Sequence, residues 1–327
     1  MRFPASWRVA APLSVVLVLV GGCATTGDSD PAATAPAAGP VSVTNCGVPV
    51  TIPSPPARAV TMNQPATEIM LALGLEDRMA GTAYLDDQVL PEYAAAYAKV
   101  PVLAKEYPSK EKLLELEPDF VYGSFASAFG DEGAGDRAEW QKLGVGTYIS
   151  TAGCPKETRP AKLAIDDVFT EIREIAAIFG VAERAETLIA DQRQRIANVS
   201  ADAKGTRVLW WDGGTDAPSA GACCGGPAMV MSAAGVTNVF DDLTGSWADT
   251  NWEAVIERDP DVIVLVDASW DTAADKQAFL EKHPALRDLP AVKGKRYVTL
   301  AFSSTSAGVR NVLAVEALAR GVGGASS

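Results

Sequence analysis

Apolar positions recur along this chain with helical spacing in some stretches and as short unbroken runs in others. Arg58-Ala-Val-Thr-Met-Asn63 reads as a strand-like run that ends at Pro65, a residue suited to the first turn of a helix. Ile69, Met70, Leu73 and Leu75 then mark one helical face, closed by Gly74. A second unit places a helix over 110–117, a breaker at Pro118 and a strand over 119–123. Ile165, Val168, Phe169, Ile172, Ile175, Ala176 and Phe179 predict a helix that stops at Gly180. From 181 to 203, Val181, Ala185, Leu188, Ile189, Gln192, Ile196 and Val199 share one face with no Gly or Pro between them, predicting a helix of roughly 35 Å. Beyond Gly205 the alternation restarts. Strands are expected over 207–212, 261–267 and 295–301, and helices over 227–234, 251–259, 276–286 and 308–319.

The N-terminus follows another pattern. Arg2 and Arg8 precede an apolar run from Ala10 to Val20 that is too short to cross a bilayer, as in a signal peptide. Val20-Gly-Gly-Cys23 resembles the bacterial lipobox, which implies cleavage after Gly22 and a lipid on Cys23. Residues 23–40 hold almost no large apolar side chain and read as a flexible tether. Loss of Arg2 and Arg8 with the leader takes the formal charge from −13 to −15, so nucleic acid is not an expected partner.

Strands alternating with helices imply an α/β chain with mostly parallel sheets covered on both faces. The mature length suits two lobes, expected at 41–180 and 204–322, with the 181–203 helix between them and a tail at 323–327. An internal echo supports the pairing. Lys112 to Tyr122 and Ala254 to Val264 share one plan of amphipathic helix, acidic residue, Pro-Asp and buried strand.

The segments Pro65 to Gly74, Leu113 to Tyr122, the helix at 181–203 and Trp252-Glu253 leading to Val264 together resemble the class III solute-binding proteins of ABC importers. These are receptors for ferric siderophores, cobalamin, haem and related conjugated ligands. The resemblance implies two similar lobes joined by one long rigid helix, with ligand held in the cleft between them. It also implies an extracytoplasmic monomer with no cofactor, no catalytic residues and an ABC permease as partner. Family members dock on the permease through one glutamate per lobe, and the matching residues are taken as Glu68 and Glu253. Stabilisation of a helix start by a carboxylate is the plainer account of both.

Ligand residues are expected at the carboxyl ends of the strands. By that rule the candidates are Asn63, Gln64, Tyr84, Ser124, Phe125, Trp211, Asp212, Trp247, Trp270, Phe302 and Ser303. Their aromatic content suits a planar or macrocyclic ligand, although aromatic residues at strand ends also seal cores. Trp210 and Trp211 alternate on one strand, and Trp211 is expected to face the cleft. Lys105, Arg137, Arg159 and Arg310 are the basic residues considered for an anionic siderophore, solvated surface charge being their default role.

Direct metal capture is not expected, since His283 is the only histidine. The same composition, with no Gly-x-Ser-x-Gly elbow, weighs against the alternative of a surface-anchored metal-dependent enzyme using the same cleft. Cys46 and Cys154 are expected to bridge across the first lobe. For Cys223-Cys224 a vicinal bridge is preferred over two buried thiols or a thiolate metal site.

Overall fold

Thirteen strands and eleven helices are seen in the computed structural model, which describes residues 39–199, 203 and 205–323. The leader, Cys23 and most of the tether lie outside these residues, as does the end of the tail. The first element among the described residues was not predicted. β1 (Val41–Asn45) and β2 (Val48–Ile52) form an antiparallel hairpin. Its two-residue turn, Cys46-Gly47, has φ of 51° and 75°, the left-handed pair that matches the twist of the flanking strands.

The first lobe is built on β3 (Ala59–Met62), β4 (Met79–Ala83), β5 (Val102–Ala104), β6 (Phe120–Gly123) and β7 (Gly146–Ile149), all parallel, in the order β5-β4-β3-β6-β7. α1 (Gln64–Ala72), α2 (Ala94–Tyr97), α3 (Lys110–Leu114) and α4 (Arg137–Lys142) connect them. The hairpin is fastened to β7. Asn45 exchanges two hydrogen bonds of 2.8 Å with the backbone of Ile149, and a disulfide joins Cys46 to Cys154 with Cα atoms 5.3 Å apart. Closing a loop of 108 residues removes unfolded-state entropy worth about 4.7 kcal/mol in the chain-entropy model.

α5 (Ile165–Ile178) and α6 (Ala182–Ala197) lead to the second lobe. Its sheet follows the order β11-β9-β8-β12-β13, with a short β10 also on β8. The strands are β8 (Arg207–Gly213), β9 (Ser219–Gly221), β10 (Thr237–Asn238), β11 (Trp247–Asp249), β12 (Val262–Asp267) and β13 (Tyr297–Ala301), of which β9 runs opposite to the rest, antiparallel to both of its neighbours β8 and β11. α7 (Gly226–Ala234), α8 (Trp252–Arg258), α9 (Ala273–Lys282), α10 (Pro290–Lys293) and α11 (Asn311–Gly323) complete it. The interlobe helix is shorter than its periodicity predicted. α6 ends at an Asn198 cap after 16 residues, roughly 24 Å, and residues 200–202 lie outside the described set.

The internal echo is structural as well as sequential. Ser109 caps α3 and Asn251 caps α8, each accepting from the N–H three residues on. Leu113 and Val255 are the buried residues four positions after those caps. Both helices are followed by a left-handed residue before the proline, Glu117 (φ 46°) and Asp259 (φ 37°). Asp119 then accepts from the N–H of Arg58, and Asp261 from the N–H of Arg207, so each carboxylate pins the start of its lobe's central strand.

Trp210 and Trp211 are both buried, because β8 is covered on each face, and they belong to different cores. The larger core is continuous through both lobes, running from Ile69 and Phe169 to Trp210 and Leu318. Within this joint lies an ion pair. Arg310 Nε and Nη2 each donate to Glu68 carboxylate oxygens at 2.6 Å, with the two side chains 9% and 1% exposed. Glu68 also accepts from Gln64 Nε2 and Leu90 N–H. Arg184 on α6 donates to the carbonyls of Leu73 and Gly74, tying that helix to the end of α1.

Removing one partner of so buried a pair leaves an uncompensated charge. Arg310→Met is expected to lower the unfolding free energy by about 3–5 kcal/mol, and adding Glu68→Gln should restore part of it. Equilibrium urea unfolding of the wild type, both single variants and the double variant gives the coupling; strictly additive losses would show that the pair is not coupled.

Candidate functional site

The carboxyl ends of both central sheets open onto one cleft. Its larger cavity has a volume of about 490 Å³ and takes walls from both lobes. Ser124, Phe125, Ser150, Ala152 and Gly153 of one turn, Arg159 and Leu163 line it from the first lobe; Cys224 to Gly226, Thr244 to Trp247 and Thr305 to Ala307 line it from the second. Two glycines permit this close construction. A Cβ on Gly153 would lie 1.9 Å from the Ser124 carbonyl, and one on Gly226 would lie 2.0 Å from that of Thr305. The lobes meet directly at its floor, where Leu163 N–H donates to the Cys224 carbonyl at 2.9 Å. Cys223 and Cys224 form a vicinal disulfide, and their N–H groups donate to the carbonyls of Leu243 and Gly245. α7 begins at this wall, so its free N–H groups and helix dipole favour negative charge nearby. Lys156 and Arg159 are the cations on the same cavity.

A second cavity of about 390 Å³ adjoins the first across Phe125. Asn63, Tyr84, Asp86, Glu106, Tyr107, Ser127, Glu132 and Phe302 complete it. The rings of Tyr84 and Tyr107 meet edge to face at 4.6 Å, and Tyr107 Oη donates to Asn63 Oδ1 at 3.2 Å. Asn63 and Tyr84 hold φ of 73° and 58°, uncommon for side chains of their kind, at the ends of adjacent strands β3 and β4. Burial pushes the Asp86 carboxyl above its ordinary range, with the Asp87 charge adding to it. Burial likewise raises the Tyr84 phenol, reinforced by Asp86.

The turn at 150–153 is held from behind by a buried carboxylate on α5. Glu171 accepts from Tyr122 Oη, from Ser150 Oγ at 2.5 Å and from Thr151 N–H at 3.0 Å. Its burial nonetheless raises its pKa, the three donors only partly offsetting the loss of water.

Of the eleven ligand candidates, Ser124, Phe125 and Trp247 line the larger cavity, and Asn63, Tyr84, Phe125 and Phe302 line the smaller one. The remaining five line neither. Trp211 is the clearest correction: it is 1% exposed, packs edge to face on Trp252 at 5.0 Å, and donates to the Gly213 carbonyl. Gln64 is buried against Glu68 and the Asp87 backbone. Asp212 is half-buried behind the wall, its carboxyl raised by burial and partly offset by the Lys276 charge. Trp270 is 63% exposed and leans on Phe302 at 5.0 Å. Ser303 is buried, its N–H donating to Asp87.

Two charged expectations also change. Glu68 does not present a docking handle, because its carboxylate is consumed by Arg310 inside the joint. Arg310 is accordingly no ligand candidate, and Arg137 is buried with its guanidinium donating to Thr147 and the Asn45 carbonyl. Lys105 is exposed and lines neither cavity. Glu253 is exposed in the first turn of α8. The strand-end rule would have found Tyr107 and the 150–153 turn had the short strands β5 and β7 been predicted; Gly225-Gly226-Pro227 was a visible helix start that the rule did not use.

A family model described as periplasmic binding protein matches residues 60–303. The chain is 25% identical over 232 residues to a vitamin B12-binding protein of Pectobacterium atrosepticum, covering 68% of this chain and 76% of that one. It is 25% identical over 283 residues to an uncharacterized ABC transporter substrate-binding lipoprotein of Bacillus subtilis, covering 84% and 82%. The solved structure of an ABC-type Fe3+-hydroxamate transport system from Saccharomonospora viridis superposes with a TM-score of 0.71 at 27% identity, covering 87% of this chain and 99% of that one. These relatives are named as binding or transport proteins, and the family model gives the same binding-protein character to this chain.

A carboxyl whose folded pKa is raised contributes most below its unfolded value and loses that contribution as pH climbs through the raised one. The melting advantage of the wild type over Glu171→Gln is therefore expected to be greatest near and below pH 4.5 and to shrink as pH rises. Melting curves of both proteins across acidic to neutral pH check this, and a pH-independent difference would contradict it.

Proposed function

The chain belongs to the periplasmic binding protein family, and we propose that it captures a conjugated or macrocyclic ligand of the ferric siderophore, corrinoid or haem kind in the interlobe cleft. As a substrate-binding protein of an ABC importer it works outside the cytoplasm. We place it there as a monomer held to the membrane by a lipid on Cys23 through the 23–40 tether. The observation that carries the ligand reading is the cavity of about 490 Å³, whose walls come from both lobes and include Phe125 and Trp247. A largely apolar space of that size with an aromatic side chain from each lobe suits a ligand bound by ring surfaces with a few polar contacts. The names of the two relatives matched to vitamin B12 and Fe3+-hydroxamate support the same class.

For delivery, the exposed carboxylates that occupy equivalent places in the two lobes are Glu111 and Glu253. Each stands two residues after its helix cap and seven before the Pro-Asp of the internal echo. The cap and dipole hold the Glu111 carboxyl below its ordinary range, its own N–H and Ser109 being the causes. One anionic handle per lobe suits a permease with a basic counterpart for each.

Two outcomes test this reading. Mass spectrometry of protein purified from its native host should find a retained conjugated ligand, with Trp247→Ala and Phe125→Ala each weakening it by about 0.5–1.5 kcal/mol beyond the lost contact area; unchanged affinity in the double variant would remove the aromatic cleft from the account. Glu111→Ala with Glu253→Ala should abolish uptake by cells while ligand affinity and melting temperature hold. Normal uptake by that double variant would end the docking assignment.

A further inference from the structure

The smaller cavity has a chemistry distinct from the larger one. Its lining holds four aromatic rings, Tyr84, Tyr107, Phe125 and Phe302, together with Asp86, Glu106 and Glu132, and no basic side chain. Among the described residues none of the three carboxylates is in an ion pair, although the chain forms twelve elsewhere. The cations of the cleft, Lys156 and Arg159, lie on the other cavity, so the cleft is polarised along its length. Asn63 supplies an independent sign of a ligand. The residue is 2% exposed and lines the cavity; its Oδ1 accepts from Tyr107, while its Nδ2 donates to no protein atom among the described residues, a donor that calls for an acceptor oxygen on the ligand beside any cationic group.

We propose that this second cavity is a subsite for an organic ammonium group, bound against the rings of Tyr84, Tyr107, Phe125 and Phe302 and neutralised by Asp86, Glu106 and Glu132. Aromatic faces attract a desolvated cation through their quadrupole, and unpaired carboxylates at the rim add a longer-range attraction. An inorganic cation is a poorer occupant. Among the described residues no three His, Cys, Asp or Glu side chains come close enough together to hold a metal ion, so the negative charge is spread around a space of about 390 Å³ and not focused on a point. Two further features fit a built site: the left-handed backbone at Asn63 and Tyr84 turns both side chains to this cavity, and Asp86 remains partly desolvated at its edge. This assignment rests on the reading of the cleft as the ligand site and specifies one end of the ligand as cationic.

The experiment uses the mature chain and two probes of matched shape, choline and its neutral isostere 3,3-dimethylbutan-1-ol, followed by saturation-transfer NMR and calorimetry. Choline is expected to bind saturably and at least tenfold more tightly than the isostere, and to weaken as salt is raised. Glu106→Gln with Glu132→Gln should weaken choline severalfold without changing the isostere, and Tyr107→Leu should weaken choline with the fold intact by circular dichroism. Equal binding of the two probes, no binding of choline, or displacement of choline by equimolar calcium chloride would each overturn the subsite. A native ligand retained in the cleft but lacking a cationic nitrogen would overturn it too, while leaving the importer function in place. Choline selectivity in a protein that retains no conjugated ligand would support the subsite and count against the proposed ligand class.

Discussion

The pairing of Glu68 with Arg310 sets the relation between the two lobes on which every other feature of the cleft depends. A carboxylate and a guanidinium taken out of water cost several kcal/mol each unless their geometry and remaining hydrogen bonds compensate. Here the geometry is bidentate, and Gln64, the Leu90 N–H and the Gln88 carbonyl occupy the remaining valences. Glu68 comes from the helix after β3, the central strand of the lobe-1 sheet, and Arg310 stands just before the last helix of the chain. Neither residue can be satisfied unless both lobes are in place. The pair therefore selects one arrangement of the lobes more than it adds stability.

Around that joint the shared core and the α5–α6 connection leave little freedom for large closure. Trp210, Phe169 and Leu318 belong to one apolar cluster across both lobes, and Arg184 and Leu163 add polar ties from the connecting segment to each side. A receptor so built holds its cleft largely preformed, which limits the ordering cost of ligand capture. Close backbone approaches at Gly153 and Gly226 act in the same direction, since any side chain there would push the walls apart.

The two lobes also show how a repeated local solution yields different surfaces. Both repeat a capped helix, a left-handed residue, Pro-Asp and a buried strand, and in both the aspartate pins the central strand. The lobe-1 sheet is wholly parallel, whereas lobe 2 adds a reversed strand, β9, antiparallel to β8 and to the edge strand β11. That insertion carries Cys223-Cys224 and Trp247 to the cleft, so the two walls differ although the scaffolds match.

Much was legible in the amino-acid order alone. Helical periodicity marked α1, α5 and the start of α6, unbroken apolar runs marked β6, β8 and β12, and the paired Pro-Asp segments announced two similar lobes, because these signals are local and arise from backbone geometry and one-sided burial. β5 has three residues, and β7, Gly146-Thr-Tyr-Ile149, carries one aliphatic side chain, so neither offered an apolar run to read, and the cleft residues beyond them were missed with them. Alternation could say that Trp210 and Trp211 face opposite ways, but not that β8 lies between two cores that bury both. Likewise a glutamate at a helix start looks the same whether solvated, as Glu111 and Glu253 are, or buried against an arginine 242 residues away, as Glu68 is. Burial and ion pairing at such distances depend on which surfaces meet in three dimensions, so only the tertiary structure decided them.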